Sequence, residues 1–192
     1  EGLESQSILE RTIEWANINS GTGNLEGLSR MADVLGQAFA ALPGEVRLVD
    51  ADPVELVRAD GAVREVRHGQ HLLVRVRPDA PRRVILTGHM DTVYGADDAF
   101  QSCDWIDERT LHGPGTADMK GGIALMLAGL QAFESGAPEL GYDVLINSDE
   151  ETGSASSARL IAELAQGKIA ALTYEPPLPS GNMARARPGS GN

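Results

Sequence analysis

Side chains able to transfer protons or bind metals collect at a few points of the chain. His89 and Asp91 are one residue apart, Asp118 follows a glycine-rich stretch, Glu150 and Glu151 are adjacent, and Glu175 follows Tyr174. One imidazole among so many carboxylates cannot stay fully ionised in one place without a cation, because like charges within about 4–6 Å oppose ionisation. A divalent metal resolves that conflict. Imidazole and carboxylate ligands suit zinc, with cobalt or manganese as alternatives. Two such metals about 3.5–4 Å apart would share a bridging carboxylate and a bridging water. This chemistry fits amide hydrolysis: metals acidify water and polarise the carbonyl, while a carboxylate that binds no metal carries the proton to the leaving nitrogen. Taken singly, the same residues say less, since a lone histidine is more often structural and a Glu-Glu pair is usually solvated.

The flanking sequence brings these residues together. Val84-Ile85-Leu86 is a continuous apolar run, as expected for a central strand, and delivers Thr87-Gly88-His89-Met90-Asp91 at its carboxyl end. Residues 142–147 form a second such strand ending at Asp149-Glu150-Glu151, and residues 169–174 a third ending at Glu175. In open α/β sheets, ligands bind in the crevice beyond the carboxyl ends of strands. Asp118 precedes an apolar helix over residues 119–133, where a carboxylate is favoured by the helix dipole, and Gly121 and Gly122 leave room for close backbone approach.

Elsewhere, helical periodicity predicts helices over residues 3–18, 25–39 and 154–165, the second stopped by Pro43-Gly44. Residues 45–50 and 71–77 alternate as strands, the latter with one wet face, and Trp105-Ile106 and Thr110-Leu111 are short strands within an irregular stretch. Residues 17–24 form a polar loop, and Lys120 is expected on the surface. The pattern is α/β, with helices on both faces of a largely parallel or mixed sheet.

Composition narrows the partners. Acidic residues outnumber basic ones 28 to 16, and the net charge of -12 disfavours nucleic acid and anionic membranes. No apolar run approaches the roughly 20 residues needed to cross a bilayer. The lone cysteine, Cys103, excludes an intrachain disulfide and an all-thiolate metal site. The opening at Glu1 and the stop at Asn192, just as residues 182–187 begin to alternate, suggest a piece of a longer protein, with a cytoplasmic location expected and a periplasmic one as the alternative.

Three segments resemble, in order and spacing, the zinc-dependent family of carboxypeptidase G, acetylornithine deacetylase and succinyl-diaminopimelate desuccinylase. They are Gly88-His89-Met90-Asp91-Thr92-Val93-Tyr94, Gly113-Pro114-Gly115-Thr116-Ala117-Asp118-Met119-Lys120-Gly121-Gly122 and Asp149-Glu150-Glu151-Thr152-Gly153-Ser154. The resemblance leans toward the carboxypeptidase G branch. It implies a three-layer αβα catalytic domain holding two zinc ions per full-length subunit. His89 and Glu175 would bind one zinc, Glu151 the other, and Asp118 would bridge them. Glu150 would be the general base that activates the bridging water, and Asp91 would hydrogen-bond His89 and fix its tautomer. A cis peptide at Asp118-Met119 is implied as well.

The substrate implied is a small peptide or N-acyl amino acid, cleaved at an amide next to a free carboxylate, as by a glutamate carboxypeptidase. An N-acyl amino acid deacylase is the alternative. Family members also carry a lid that forms a homodimer and a late histidine for the second zinc. Residues 1–181 are therefore expected to be the first part of the catalytic domain and residues 182–192 the start of the lid. His68, His71 and His112 are placed wrongly to supply that histidine, so the chain alone is expected to bind one metal well, at His89, Asp118 and Glu175, and to be inactive. The rival from another class is a non-catalytic assembly domain, or a fragment without catalytic competence. A two-metal phosphoesterase is disfavoured by the Glu150-Glu151 pair.

Overall fold

The computed structural model describes residues 2–178 and 180–182. Helix α1 (Gly2–Ala16) leads through a polar loop to α2 (Leu25–Phe39), whose cap is Asn24: its side chain accepts the amide of Gly27 at 3.1 Å. Leu28, Met31, Ala32, Leu35 and Phe39 recur at helical spacing and form the buried stripe of α2. Five strands build the main sheet: β1 (Glu45–Val49), β4 (His71–Val76), β5 (Arg83–His89), β8 (Gly141–Asn147) and β9 (Ala170–Thr173), in the order β1-β4-β8-β5-β9. Two hairpins lie outside it, β2 (Val54–Val57) with β3 (Val63–Val66) and β6 (Asp104–Asp107) with β7 (Thr110–His112). Helices α3 (Lys120–Glu134) and α4 (Ala158–Ala165) complete the chain.

Side-chain alternation along the central strands divides the interior in two. Leu72, Val74, Val76, Leu86, Tyr142, Val144 and Ile146 face a large core shared with α1, α2 and α3. Their neighbours Leu73, Ile85 and Leu145 face a small core closed by Leu160 and Leu164 of α4. The sheet is thus mixed and covered on both sides, the three-layer arrangement that the resemblance implied. One expectation is corrected. Strand β4 has no wet face, because it lies between β1 and β8 with helices over both surfaces, and all of it except Arg75 is buried.

β5 runs parallel to both β8 and β9, with His89 beside Asn147 and Thr87 beside Thr173, so the three carboxyl ends open on one rim. Helix α3 packs close to that rim because Gly122 lies against the carbonyl of Tyr174, where any side chain would collide. Helix α4 is shorter than expected: residues 154–157 form turns, with Ser157 as its cap. The expected strand from residue 182 onward lies outside the described residues, apart from Asn182 itself.

Candidate metal centre

His89 ends β5 with its imidazole only 1% exposed. Its Nε2 points to the rim, 3.0 Å from Asp118 Oδ1, 3.8 Å from Glu175 Oε1 and 3.9 Å from Glu150 Oε2. Among the described residues, His89, Asp118 and Glu151 form a group whose ligand atoms all lie within 4.8 Å of one another. The structure therefore brings all six sequence-derived residues to one place. Donors held about 2.0–2.2 Å from a common zinc stand roughly 3–3.5 Å apart; Asp118 lies at that spacing from Nε2, and Glu175 is a few tenths of an ångström outside it. His89, Asp118, Glu151 and Glu175 are the residues that would hold metal.

The electrostatics agree with that fit. Burial pulls the His89 imidazole down, but the hydrogen bond and charge of Asp91, then Glu175 and Glu150, outweigh it and raise it to about 9. Burial first, and then the neighbouring Asp118, raises both Glu151 and Glu175 above the ordinary carboxylate range. A rim that raises its own acids in this way lacks positive charge, and a divalent cation supplies it.

Each ligand is held from behind. Asp91 is fully buried, and its carboxylate accepts from three donors. The amide of Glu150 lies 3.1 Å from Oδ1, that of Glu151 3.2 Å from Oδ2, and the Thr22 hydroxyl donates to Oδ2 at 2.8 Å; His89 Nδ1 lies 3.0 Å from the Asp91 backbone carbonyl and 3.3 Å from Oδ1. Glu150 and Glu151 stand on a 3₁₀ turn, Glu150–Thr152, closed by Gly153 in the left-handed region at φ 95°. Asp149 anchors the base of that turn, accepting the Ser157 hydroxyl and the Ser156 amide, each at 2.7 Å. Burial pushes the Asp149 carboxyl up, but the hydrogen bonds from Ser157 and Ser156 outweigh it and hold it below the usual range. Asp118 lies just before α3, after a turn in which the Lys120 amide donates to the Gly115 carbonyl at 2.7 Å. The Asp118-Met119 peptide is cis.

Several residues at the site escaped sequence reasoning. Lys120 is not on the surface: it is 1% exposed, and its ammonium donates to the Ile18 carbonyl at 2.8 Å. Asp149 and Thr22 also belong to the site's support. The only local signals for them were the Ser156-Ser157 pair after the acidic turn and a threonine in a polar loop. Of the other histidines, His71 is buried with Nδ1 3.3 Å from the Ser148 amide, and His112 lies with its ring 4.5 Å from that of Phe100. A cavity of about 290 Å³, lined by Tyr94, Phe100, His112 and Thr116, opens beside Asp118 and Glu151. The larger cavity of about 620 Å³ between α1 and α3 offers only Arg11 as an ionisable group, so the site follows the convergent donors rather than cavity size.

Known proteins are similar to this chain in sequence and in fold. Carboxypeptidase G2 of Pseudomonas sp. (strain RS-16) is 30% identical over 175 residues, covering 90% of this chain and 39% of its own. A succinyl-diaminopimelate desuccinylase of Maricaulis maris is 36% identical over 84 residues, 41% of this chain and 22% of its own. The chain thus spans about two fifths of the length of the carboxypeptidase it matches. In fold it is similar to human carnosine dipeptidase 1, with TM-score 0.72 and 19% identity over 90% of this chain and 39% of that one. It is also similar to an M20 family metallo-carboxypeptidase of Sulfolobus solfataricus, with TM-score 0.69 and 16% identity over 91% of this chain and 38% of that one. The family model for peptidase family M20/M25/M40 matches residues 85–188, the stretch that opens within β5 and contains His89, Asp118, the Glu150-Glu151 turn and Glu175. With that match over more than half of its length, the chain belongs to peptidase family M20/M25/M40.

Proposed function

We propose that the protein containing this chain is a two-zinc hydrolase that cleaves an amide bond next to a free carboxylate, in the manner of a glutamate carboxypeptidase. The observation that carries the reading is the meeting of His89, Asp118 and Glu151 around one point, with Glu175 and Glu150 at 3.8 and 3.9 Å from His89 Nε2. Bound there, zinc supplies Lewis acidity that polarises the substrate carbonyl and makes water a stronger acid; cobalt or manganese would serve similarly. Glu150, half-exposed on its turn and 3.9 Å from His89 Nε2, takes the proton from the attacking water and delivers it to the leaving nitrogen. Asp91, whose backbone carbonyl lies 3.0 Å from Nδ1 and whose carboxylate lies 3.3 Å from it, holds His89 with Nε2 turned to where the metal would bind. The cavity beside Asp118 and Glu151 gives one side of the scissile bond a place to sit.

The Maricaulis relative favours a second reading, an N-acyl amino acid deacylase using the same site. We further propose that the intact protein carries a lid, a late histidine ligand and a homodimer contact, and that it is cytoplasmic. No described helix is long and apolar enough to cross a membrane.

The test is a panel of N-acyl glutamates, other N-acyl amino acids and dipeptides, offered to the intact protein with zinc or cobalt. Amino-acid release that stops with chelator and returns with metal is expected, and glutamate conjugates turning over fastest would select the first reading. No release from any member of the panel would sink both.

A further inference from the structure

We propose that Thr22 is a positioning residue for the metal centre, acting through Asp91. This inference rests on the reading of His89 and Glu151 as metal ligands and Glu150 as the base. A carboxylate has two oxygens with two lone-pair sites each. Oδ1 of Asp91 takes the Glu150 amide and lies 3.3 Å from His89 Nδ1, which is 3.0 Å from the Asp91 backbone carbonyl, while Oδ2 takes the Glu151 amide and the Thr22 hydroxyl. Of the three donors to the carboxylate, Thr22 makes the shortest contact, 2.8 Å, and it alone does not come from the turn after β8. Without its hydroxyl, Oδ2 keeps only the Glu151 amide. The carboxylate is then held by the Glu150-Glu151 turn alone, so carboxylate and turn can shift together relative to the His89 ring.

Thr22 can do this because its loop is pinned. Its amide donates to the Thr92 carbonyl at 3.2 Å, the Thr92 amide donates back to Ser20 at 3.0 Å, and the Ser20 hydroxyl donates to the Met90 carbonyl at 2.6 Å. Asn19 extends the seam, donating to the carbonyls of Tyr94 and Gly95 at 3.2 and 3.1 Å. Gly21 lies so near the Tyr94 carbonyl that any side chain there would collide with it, which fixes the register of the loop. A partly buried threonine in a polar loop therefore reaches a fully buried carboxylate at the centre of the site.

The experiment compares Thr22→Val, which keeps the shape and removes the donor, with Thr22→Ser, which keeps the donor. Both are made in the intact protein, with cobalt affinity read from its visible absorption and kcat and KM measured on an N-acyl amino acid. Thr22→Val should lower cobalt affinity and kcat by about tenfold, with KM changed by less than about threefold, and Thr22→Ser should recover both to within about threefold of the wild type. Thr22→Val within about twofold of wild type in both, or Thr22→Ser as impaired as Thr22→Val, would overturn the assignment. If Thr22→Val does not fold, Thr22→Ala is compared with Thr22→Ser in the same way. A wild type that binds cobalt yet hydrolyses no amide defeats the hydrolase reading alone, and the cobalt affinities then decide on Thr22.

Discussion

The two ends of the central sheet both gather charge, and they treat it in opposite ways. Near the amino ends of β5 and β8, the fully buried Asp143 meets Lys168 Nζ at 2.6 Å, Arg83 at 2.9 Å and Arg75 at 3.8 Å, while Arg77 forks onto Glu134 close by. There one buried acid is surrounded by three cations. At the carboxyl ends, Asp91, Asp118, Glu150, Glu151 and Glu175 share one histidine. The first cluster ties strands β4, β5 and β8 together with positive charge to spare. The second is left short of positive charge, which costs stability in the metal-free protein and creates affinity for a cation.

Four measurements break or sharpen that contrast. Glu150→Gln removes the proton carrier without removing a proposed ligand, so kcat should fall by about 10²–10⁴-fold while bound metal, assayed by elemental analysis, is retained. Loss of the metal together with activity would instead make Glu150 a ligand. At the other end, Asp143→Asn leaves the nearly buried Lys168, and the part-exposed Arg83 and Arg75, without their acid and should cost about 3–5 kcal/mol in urea unfolding with metal affinity unchanged. A change under about 1 kcal/mol would mean that this cluster is as dispensable as a surface pair.

The third measurement is pH dependence. Between 6.5 and about 9 the folded, metal-free protein keeps on His89 a proton that the unfolded chain releases, so its stability falls as pH rises through that window. His71, which burial lowers from 6.5, titrates below the window, and Lys120, which burial lowers to about 8, acts in the opposite direction in the upper part of it. From pH 6.5 to 8, therefore, the metal-free protein should lose about 1 kcal/mol, and added zinc or cobalt should abolish the loss by replacing the proton. A flat profile in that range would remove His89 from the ion cluster. The smallest effect is expected from Glu175→Gln. It relieves repulsion at a half-exposed carboxylate and should stabilise the metal-free protein by less than about 1 kcal/mol, while weakening metal binding.

Much of this was legible in the residues. The apolar runs ending at His89, Asn147 and Tyr174 announced strands, and the placement of acids just past each end announced a common rim. What stayed hidden had physical reasons. The hairpin of β2 and β3 is almost wholly exposed, so no buried face imposes alternation on residues 54–66. β4 carries Arg75, whose exposed guanidinium reaches Asp143, and that charge within the strand resembled a wet face. Lys120 and Thr22 were misjudged or missed because their partners are distant in sequence. The carbonyl of Ile18 and the carboxylate of Asp91 are supplied by the fold, and no local pattern points to them.

The Asp91 carboxylate has a consequence for motion as well as placement. By accepting the amides of both Glu150 and Glu151, it ties the end of β5 to the turn after β8. Those two amides can then exchange hydrogen with solvent only when the rim itself opens. They report the breathing of the site separately from the sheet beneath it. Ligand binding that closes the rim will slow their exchange while leaving the deep amides of β4 and β8 as they were, so two backbone positions record whether the centre is assembled.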